Sequence, residues 1–247
     1  MKTVRQVNTV CMQGMKRIAF CVCFLYLCAM EKQIRAFIFD MDGTLLDTES
    51  LSFRSWRIAG TEFALSPRQT EELNRKCMGA NESSIRRILE ETFADSAKAS
   101  QFMRRTSQLF SSMEAAEGIS LMPHAREALE HLKQNGYRLA VASSTHGDTV
   151  RRQLGNAGLL GFFEALATGD LVRHSKPDPE IYLLACSRLS LPPCECAAVE
   201  DSPNGIKSAK AAGLFSILIP DRIKADAQLI KTADALYSSL RELEEHF

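Results

Sequence analysis

Excess charge of either sign is missing from this 247-residue chain. Lys plus Arg and Asp plus Glu each total 30, and the formal net charge is zero. That balance offers no electrostatic ground for binding nucleic acid. No uncharged apolar run is long enough to cross a membrane: the candidate, from Ile18 to Met30, has 13 residues, against the roughly 20 that a spanning helix requires. There is no low-complexity tract and no short-period repeat. Eight cysteines are present without any Cys-x-x-Cys pair, and no second pair or histidine cluster accompanies Cys194-Glu195-Cys196. The usual spacings of a structural zinc site are therefore absent, and free cytosolic thiols are expected. These absences favour a cytoplasmic protein, a monomer, with neither nucleic acid nor membrane among its partners.

What is present suffices for a substantial core. Hydrophobic residues make up 45% of the chain, and its length suits one large domain or a domain with a smaller insertion. Residues 1–29 stand apart from the pattern that follows. Lys16-Arg17 ahead of the apolar run resembles a signal-peptide core with its basic flank. No clear small-residue cleavage site follows, so a start at Met30 is favoured over export.

The chain is organised around Ile34-Arg35-Ala36-Phe37-Ile38-Phe39-Asp40-Met41-Asp42-Gly43-Thr44. Ile34 to Phe39 are almost continuously apolar, as expected of a parallel strand covered on both faces. Carboxylates at the end of such a strand reach the carboxyl edge of the sheet, where open α/β folds bind ligands. Residues 48–117 then change character. They are rich in Ser, Arg, Glu and Gln, with apolar residues at helical spacing, such as Ile85, Ile88 and Leu89. This spacing predicts an all-helical insertion, with turns near Ala64–Pro67 and Met78–Asn81. From Ile119 onward helices and strands alternate, which predicts βαβ units and a parallel sheet. Strands are expected over Tyr137–Ala142, Phe163–Thr168, Ala197–Val199 and Phe215–Ile219. Helices are expected over Pro123–Gln134, Asp148–Ala157, Asp178–Leu189, Pro203–Ala212, Ile223–Lys231 and Leu240–Glu245. The fold class is thus α/β: a Rossmann-like parallel sheet core (residues 30–47 and 118–247) with an inserted all-helical cap (48–117).

Polar residues follow four separate strands: Asp40 and Asp42; Ser143 and Ser144; Lys176; Glu200 with Asp201. One acid after a strand is commonplace. Four strand ends presenting acid, hydroxyl, amine and acid on one sheet edge suit a phosphate monoester and Mg²⁺. Carboxylates are hard oxygen ligands for that ion, and a lysine neutralises phosphate charge.

These positions match, in order, the four motifs of the haloacid dehalogenase-like superfamily. Asp40-x-Asp42-Gly-Thr is similar to the first, Val141-Ala142-Ser143-Ser144 to the second, Ser175-Lys176-Pro177-Asp178-Pro179 to the third, and Val199-Glu200-Asp201-Ser202-Pro203-Asn204-Gly205 to the fourth. The resemblance implies that Asp40 is the nucleophile that becomes an aspartyl phosphate. It implies that Asp42 is the general acid and then the base, and that Ser143 and Lys176 contact the transferring phosphate. Thr44 and Ser144 would touch substrate. Asp40, Asp201 and the Asp42 main chain would hold Mg²⁺, with Glu200 a ligand or a partner behind the ligands. Family dehalogenases lack an acid at the Asp42 position, so its presence argues for phosphate esters.

The helical insertion resembles the cap of the β-phosphoglucomutase-like subgroup. Here the sequence departs from the mutase: Ser52 stands where the mutase has a cap histidine, Met78 where it has a lysine, and Glu82 where it has an arginine. The resemblance therefore implies a phosphatase acting on a small phosphorylated metabolite, such as a sugar phosphate. The alternatives are a phosphomutase of the β-phosphoglucomutase type and a non-catalytic phosphate-binding protein. Outside the motifs, His146 is expected at a helix start in solvent, His124 and His131 on a solvated helix, and Trp56 in the cap core.

Overall fold

A computed structural model describes residues 34–77, 82–221 and 227–247. The readings made for residues 1–29, for the Met78–Asn81 turn and for Met78 itself lie outside them. The first strand, β1 (Ala36–Phe39), is buried along its whole length. Phe37 and Phe39 face one side of the sheet and Ala36 and Ile38 the other, each against its own apolar cluster. Both faces being covered, the strand reads as a continuous apolar run rather than an alternating one. Each fully buried phenylalanine contributes about 1.5–3 kcal/mol.

β1 leads into four inserted helices: α1 (Thr48–Glu62), α2 (Pro67–Cys77), α3 (Glu82–Phe93) and α4 (Ser96–Glu117). Asp47 caps α1 by accepting from the Ser50 amide at 3.0 Å, and Asp95 caps α4 by accepting from Ala97 and Lys98. Trp56, Ala59, Leu73, Cys77, Leu89, Ala99 and Phe102 form a core private to these helices. Trp56 meets Phe102 edge-on at 5.2 Å, which places it in cap packing as expected. The two crossings between cap and sheet run side by side: the Asp47 amide donates to Ser120 and the Met122 amide to Leu45, both at 2.9 Å. Beyond them, Arg152 of the core forms an ion pair with Glu114 on α4, whose side chain is only 5% exposed.

The core continues with α5 (Ala125–Gln134), β2 (Arg138–Ser143), α6 (Gly147–Asn156), β3 (Ala165–Thr168), α7 (Glu180–Leu189), β4 (Cys196–Glu200), α8 (Pro203–Ala212) and β5 (Phe215–Leu218). It closes with α9 (Ala227–Thr232), β6 (Ala235–Leu236) and α10 (Glu242–His246). The six strands are all parallel, in the order β3-β2-β1-β4-β5-β6. α5, α6 and α10 cover the Phe37 face, and α7 and α8 cover the Ile38 face.

Element ends differ from the sequence reading in places. Pro123 and His124 precede α5 rather than opening it, because His124 takes a left-handed φ of 63°. Phe163 lies outside β3, just after a short 3₁₀ turn at Leu160–Phe162. Asp178 stays out of α7, and its carboxylate accepts from the Glu180 amide at 3.0 Å. The two-residue β6 carries no sequence pattern long enough to announce a strand.

Candidate active site

The strand order reverses direction across β1. From it the chain extends to β2 and β3 on one side, then returns to β4 on the other. Loops leaving β1 and β4 therefore part at this point and open a crevice at the carboxyl edge. Asp40 follows β1 and Asp201 follows β4, and the Asp40 amide donates to Val199 at 2.9 Å, locking the two strand ends together. Gly43 turns the first loop with φ +81°. A Cβ there would lie 2.7 Å from Asp201 Oδ2, so this glycine also makes room for the second acid. Thr44 donates weakly to Asp201 Oδ1, at 3.3 Å.

Lys176 fastens the floor of the crevice. Its ammonium donates to Asp40 Oδ1 at 2.5 Å, to Glu200 Oε1 at 2.6 Å and to the Ala142 carbonyl at 2.8 Å. Those three acceptors sit at the carboxyl ends of β1, β4 and β2. The side chain is 7% exposed and Glu200 is fully buried. Burial opposes the lysine charge, but Asp40 and Glu200 overcome that penalty and hold the ammonium above its usual range. Glu200 Oε1 also accepts from the Tyr182 hydroxyl at 2.8 Å, and its Oε2 accepts from Ser202 Oγ at 3.0 Å. Both oxygens of Glu200 are thus engaged by protein donors. Gly205 gives this carboxylate its space, since a Cβ at that position would overlap it.

Asp42 lies across the first loop and faces the second. Its Oδ2 accepts from Thr145 Oγ1 at 2.9 Å and from Ser143 Oγ at 3.3 Å. Ser143 is fully buried at the end of β2. Ser144, by contrast, is exposed, and its side chain joins none of these bonds. His146 caps α6 in solvent, with Nδ1 accepting from the Asp148 amide at 3.4 Å. His124 is exposed and His131 half-buried on α5, where His131 pairs with Asn135.

Asp40, Glu200 and Asp201 each offer a carboxylate oxygen, all within 4.8 Å of one another. Desolvation pushes the Asp40 carboxyl up to about 8, with Lys176 pulling down and Glu200 and Asp42 pushing up. Burial, then the Glu200 and Asp40 charges, raise Asp201 well above the usual carboxylate range. One lysine cannot neutralise three crowded carboxylates. A hard divalent cation fits the remaining charge and the oxygen donors, and Asp201, with one weak side-chain donor, is free to serve it. A second group, His174, Asp178 and Glu180, sits at the start of α7 with His174 exposed and the two acids half-buried. There Glu180 Oε2 accepts from the amides of Arg173 and His174, both at 3.0 Å.

Two residues of the cluster were not singled out in the sequence. Thr145 could have been found, because it follows Ser143-Ser144 in the same strand-end loop. Tyr182 could not, because a tyrosine inside an apolar helix reads as packing.

Comparison with known proteins bears on this arrangement. The haloacid dehalogenase-like hydrolase family matches residues 34–213. A phosphorylated carbohydrates phosphatase of Thermotoga maritima is 36% identical over 188 residues, covering 74% of this chain and 84% of that protein. A β-phosphoglucomutase of Bacillus subtilis is 28% identical over 226 residues, covering 87% and 97%. The solved structure of CbbY from Rhodobacter sphaeroides in complex with phosphate superposes with a TM-score of 0.66 at 30% identity, covering 85% of this chain and 96% of that one.

Proposed function

This chain belongs to the haloacid dehalogenase-like hydrolases, as a phosphatase-type enzyme, and on that premise we propose that it hydrolyses a small phosphorylated carbohydrate through an aspartyl phosphate on Asp40. The observation that carries this reading is the meeting of Asp40, Lys176 and Asp201 on one sheet edge, with Asp42 held two residues away by hydroxyls.

A carboxylate oxygen of Asp40 attacks phosphorus and the bond to the leaving oxygen breaks. Asp42 gives its proton to that oxygen, and the alcohol departs. Asp42, now ionised, takes a proton from water as the water oxygen attacks the phosphorus. The acyl phosphate bond breaks, and phosphate and the Asp40 carboxylate are regenerated. Lys176 supplies positive charge beside the nucleophile, and Glu200, with both oxygens committed, holds that lysine in place. Asp40, Asp201 and the Asp42 carbonyl would hold Mg²⁺, which supplies charge that eases the approach of a carboxylate to an anionic phosphoryl group. Ser143 donates to a phosphoryl oxygen. Thr44 borders the same crevice, and exposed Ser144 is positioned for substrate beyond it.

A second reading, phosphoryl transfer between positions of one sugar, is favoured by the likeness to the B. subtilis mutase. Against it stands Ser52 on α1, where the mutase-type cap histidine is expected; the side chain of Glu82 is not among those described. A screen of sugar phosphates tests both. Release of free phosphate supports the phosphatase. Interconversion of sugar 1- and 6-phosphates that requires a bisphosphate supports the mutase. Asp40→Asn is expected to abolish turnover with an unchanged circular dichroism spectrum, and full activity in that variant overturns the nucleophile assignment.

A further inference from the structure

We propose that Thr145 is the residue that positions Asp42 for proton transfer. The inference rests on the phosphatase reading and deepens it. Thr145 and Ser143 both donate to the same oxygen of Asp42, Oδ2, at 2.9 and 3.3 Å. Among the described residues no hydrogen bond engages Oδ1. The anchored oxygen is therefore Oδ2, and Oδ1 carries the proton towards the leaving group.

The two hydroxyls are not equivalent. A hydroxyl has one proton to donate. Ser143 Oγ already accepts from the Thr145 amide at 3.0 Å, and it sits at the strand end where it donates to a phosphoryl oxygen of bound substrate. Once it does so it can no longer donate to Asp42. Thr145 is then the hydroxyl left to hold the acid. A carboxyl group turns in a broad torsional well, so without that donor Oδ1 is not kept on the leaving oxygen.

Thr145 is itself well anchored. Its carbonyl accepts from the Gly169 amide at 3.0 Å, and Gly169 lies so close to the Ser144 carbonyl that a Cβ there would overlap it. Two residues on, the Gly147 amide donates to Asp170 Oδ1 at 2.7 Å. The loop after β2 is pinned against the loop after β3, and the hydroxyl inherits that fixed position.

The test exploits leaving-group chemistry. An alkyl phosphate expels a poor leaving group that needs a proton, whereas p-nitrophenyl phosphate expels a stable phenolate that does not. kcat/KM reports only steps up to departure of the leaving group, so the later role of Asp42 as base does not enter. The substrates are p-nitrophenyl phosphate and the alkyl phosphate turned over fastest in the sugar phosphate screen. The variants are Thr145→Val, which keeps shape and removes the hydroxyl, Thr145→Ser, which restores it, and Asp42→Asn as the reference.

Positioned general acids contribute about 100-fold or more, so Thr145→Val is expected to lower the alkyl-to-aryl ratio of kcat/KM by about 10-fold or more. Thr145→Ser is expected to keep the wild-type ratio, and Asp42→Asn to show the same selective loss, larger. If Asp42→Asn changes the ratio and Thr145→Val does not, the positioning role is overturned while the phosphatase reading stands. If Asp42→Asn leaves the ratio unchanged, it is the general-acid assignment that fails. Thr145→Ala takes the place of the valine variant if circular dichroism shows the latter unfolded, with the same outcomes.

Discussion

Lys176 is the residue on which the most groups depend. Its ammonium is shared between two carboxylates and a backbone carbonyl from three different strands. Removing one partner of a buried charge pair leaves the other charge unmatched, at a cost of about 3–5 kcal/mol. Lys176→Met is expected to lose stability of that order in urea unfolding, along with turnover. A loss confined to turnover, with unfolding unchanged, contradicts the structural half of this role. Tyr182 donates to the same Glu200 oxygen as the lysine, so Glu200 still keeps a neutral donor in that variant. At this scale the sequence was informative where residue type and strand end coincide: Asp40, Asp42, Ser143, Lys176, Glu200 and Asp201 all reach one cluster. Ser144 was named with them; it is exposed, and its side chain joins none of these hydrogen bonds.

At the scale of elements, the strands nearest the site were the most legible. β1 is apolar and buried throughout, and β2 and β4 are apolar and buried from Leu139 to Ala142 and from Cys196 to Val199. β6 shows how a strand escapes notice: two residues pair with β5, and a side-chain clasp backs up the backbone bonds. Asp234 Oδ2 accepts from the amide and the hydroxyl of Ser216, each at 2.9 Å, and Oδ1 accepts from Lys210 at 2.7 Å. Burial works against the Asp234 charge, but Lys210 and Ser216 prevail and hold its carboxyl below the usual range. The folded state then releases this proton more readily than the unfolded chain. The stabilisation is present above the unfolded value of about 4 and is lost as pH falls through the folded value. Asp234→Asn is expected to flatten the decline of unfolding free energy below about pH 5, measured by urea titration at several pH values. An identical decline in both proteins would remove Asp234 as its source.

At the scale of the molecule, the cap and the core meet at two adjacent crossings and through Arg152 with Glu114. Glu114 is nearly buried, so Arg152→Ala leaves it without its charged partner. The expected cost is about 1–3 kcal/mol, read from the denaturation midpoint, and a shift within error would show that water replaces the arginine. The second prediction at this scale concerns the metal. A ligand that binds the folded state alone stabilises it by about 2.7 kcal/mol at 100 times its Kd. Mg²⁺ is expected to raise the Tm of the wild type and not of Asp201→Asn, and a chelator is expected to stop turnover. Undiminished turnover in chelator removes the metal from the proposal.

The order of apolar runs and the residues at their ends already specified a parallel sheet, an inserted helical segment and a phosphoryl-transfer edge. Those are local quantities: period, length, and which side chain follows which strand. Which Asp42 oxygen is anchored, that Glu200 spends both oxygens on protein donors, and that Glu114 answers Arg152 emerged with the folded chain alone. Apart from the Ser202 bond to Glu200, two positions away, these depend on distances between residues 18 to 103 positions apart. Such distances follow from how helices seat on the sheet, and no neighbour in the chain records them.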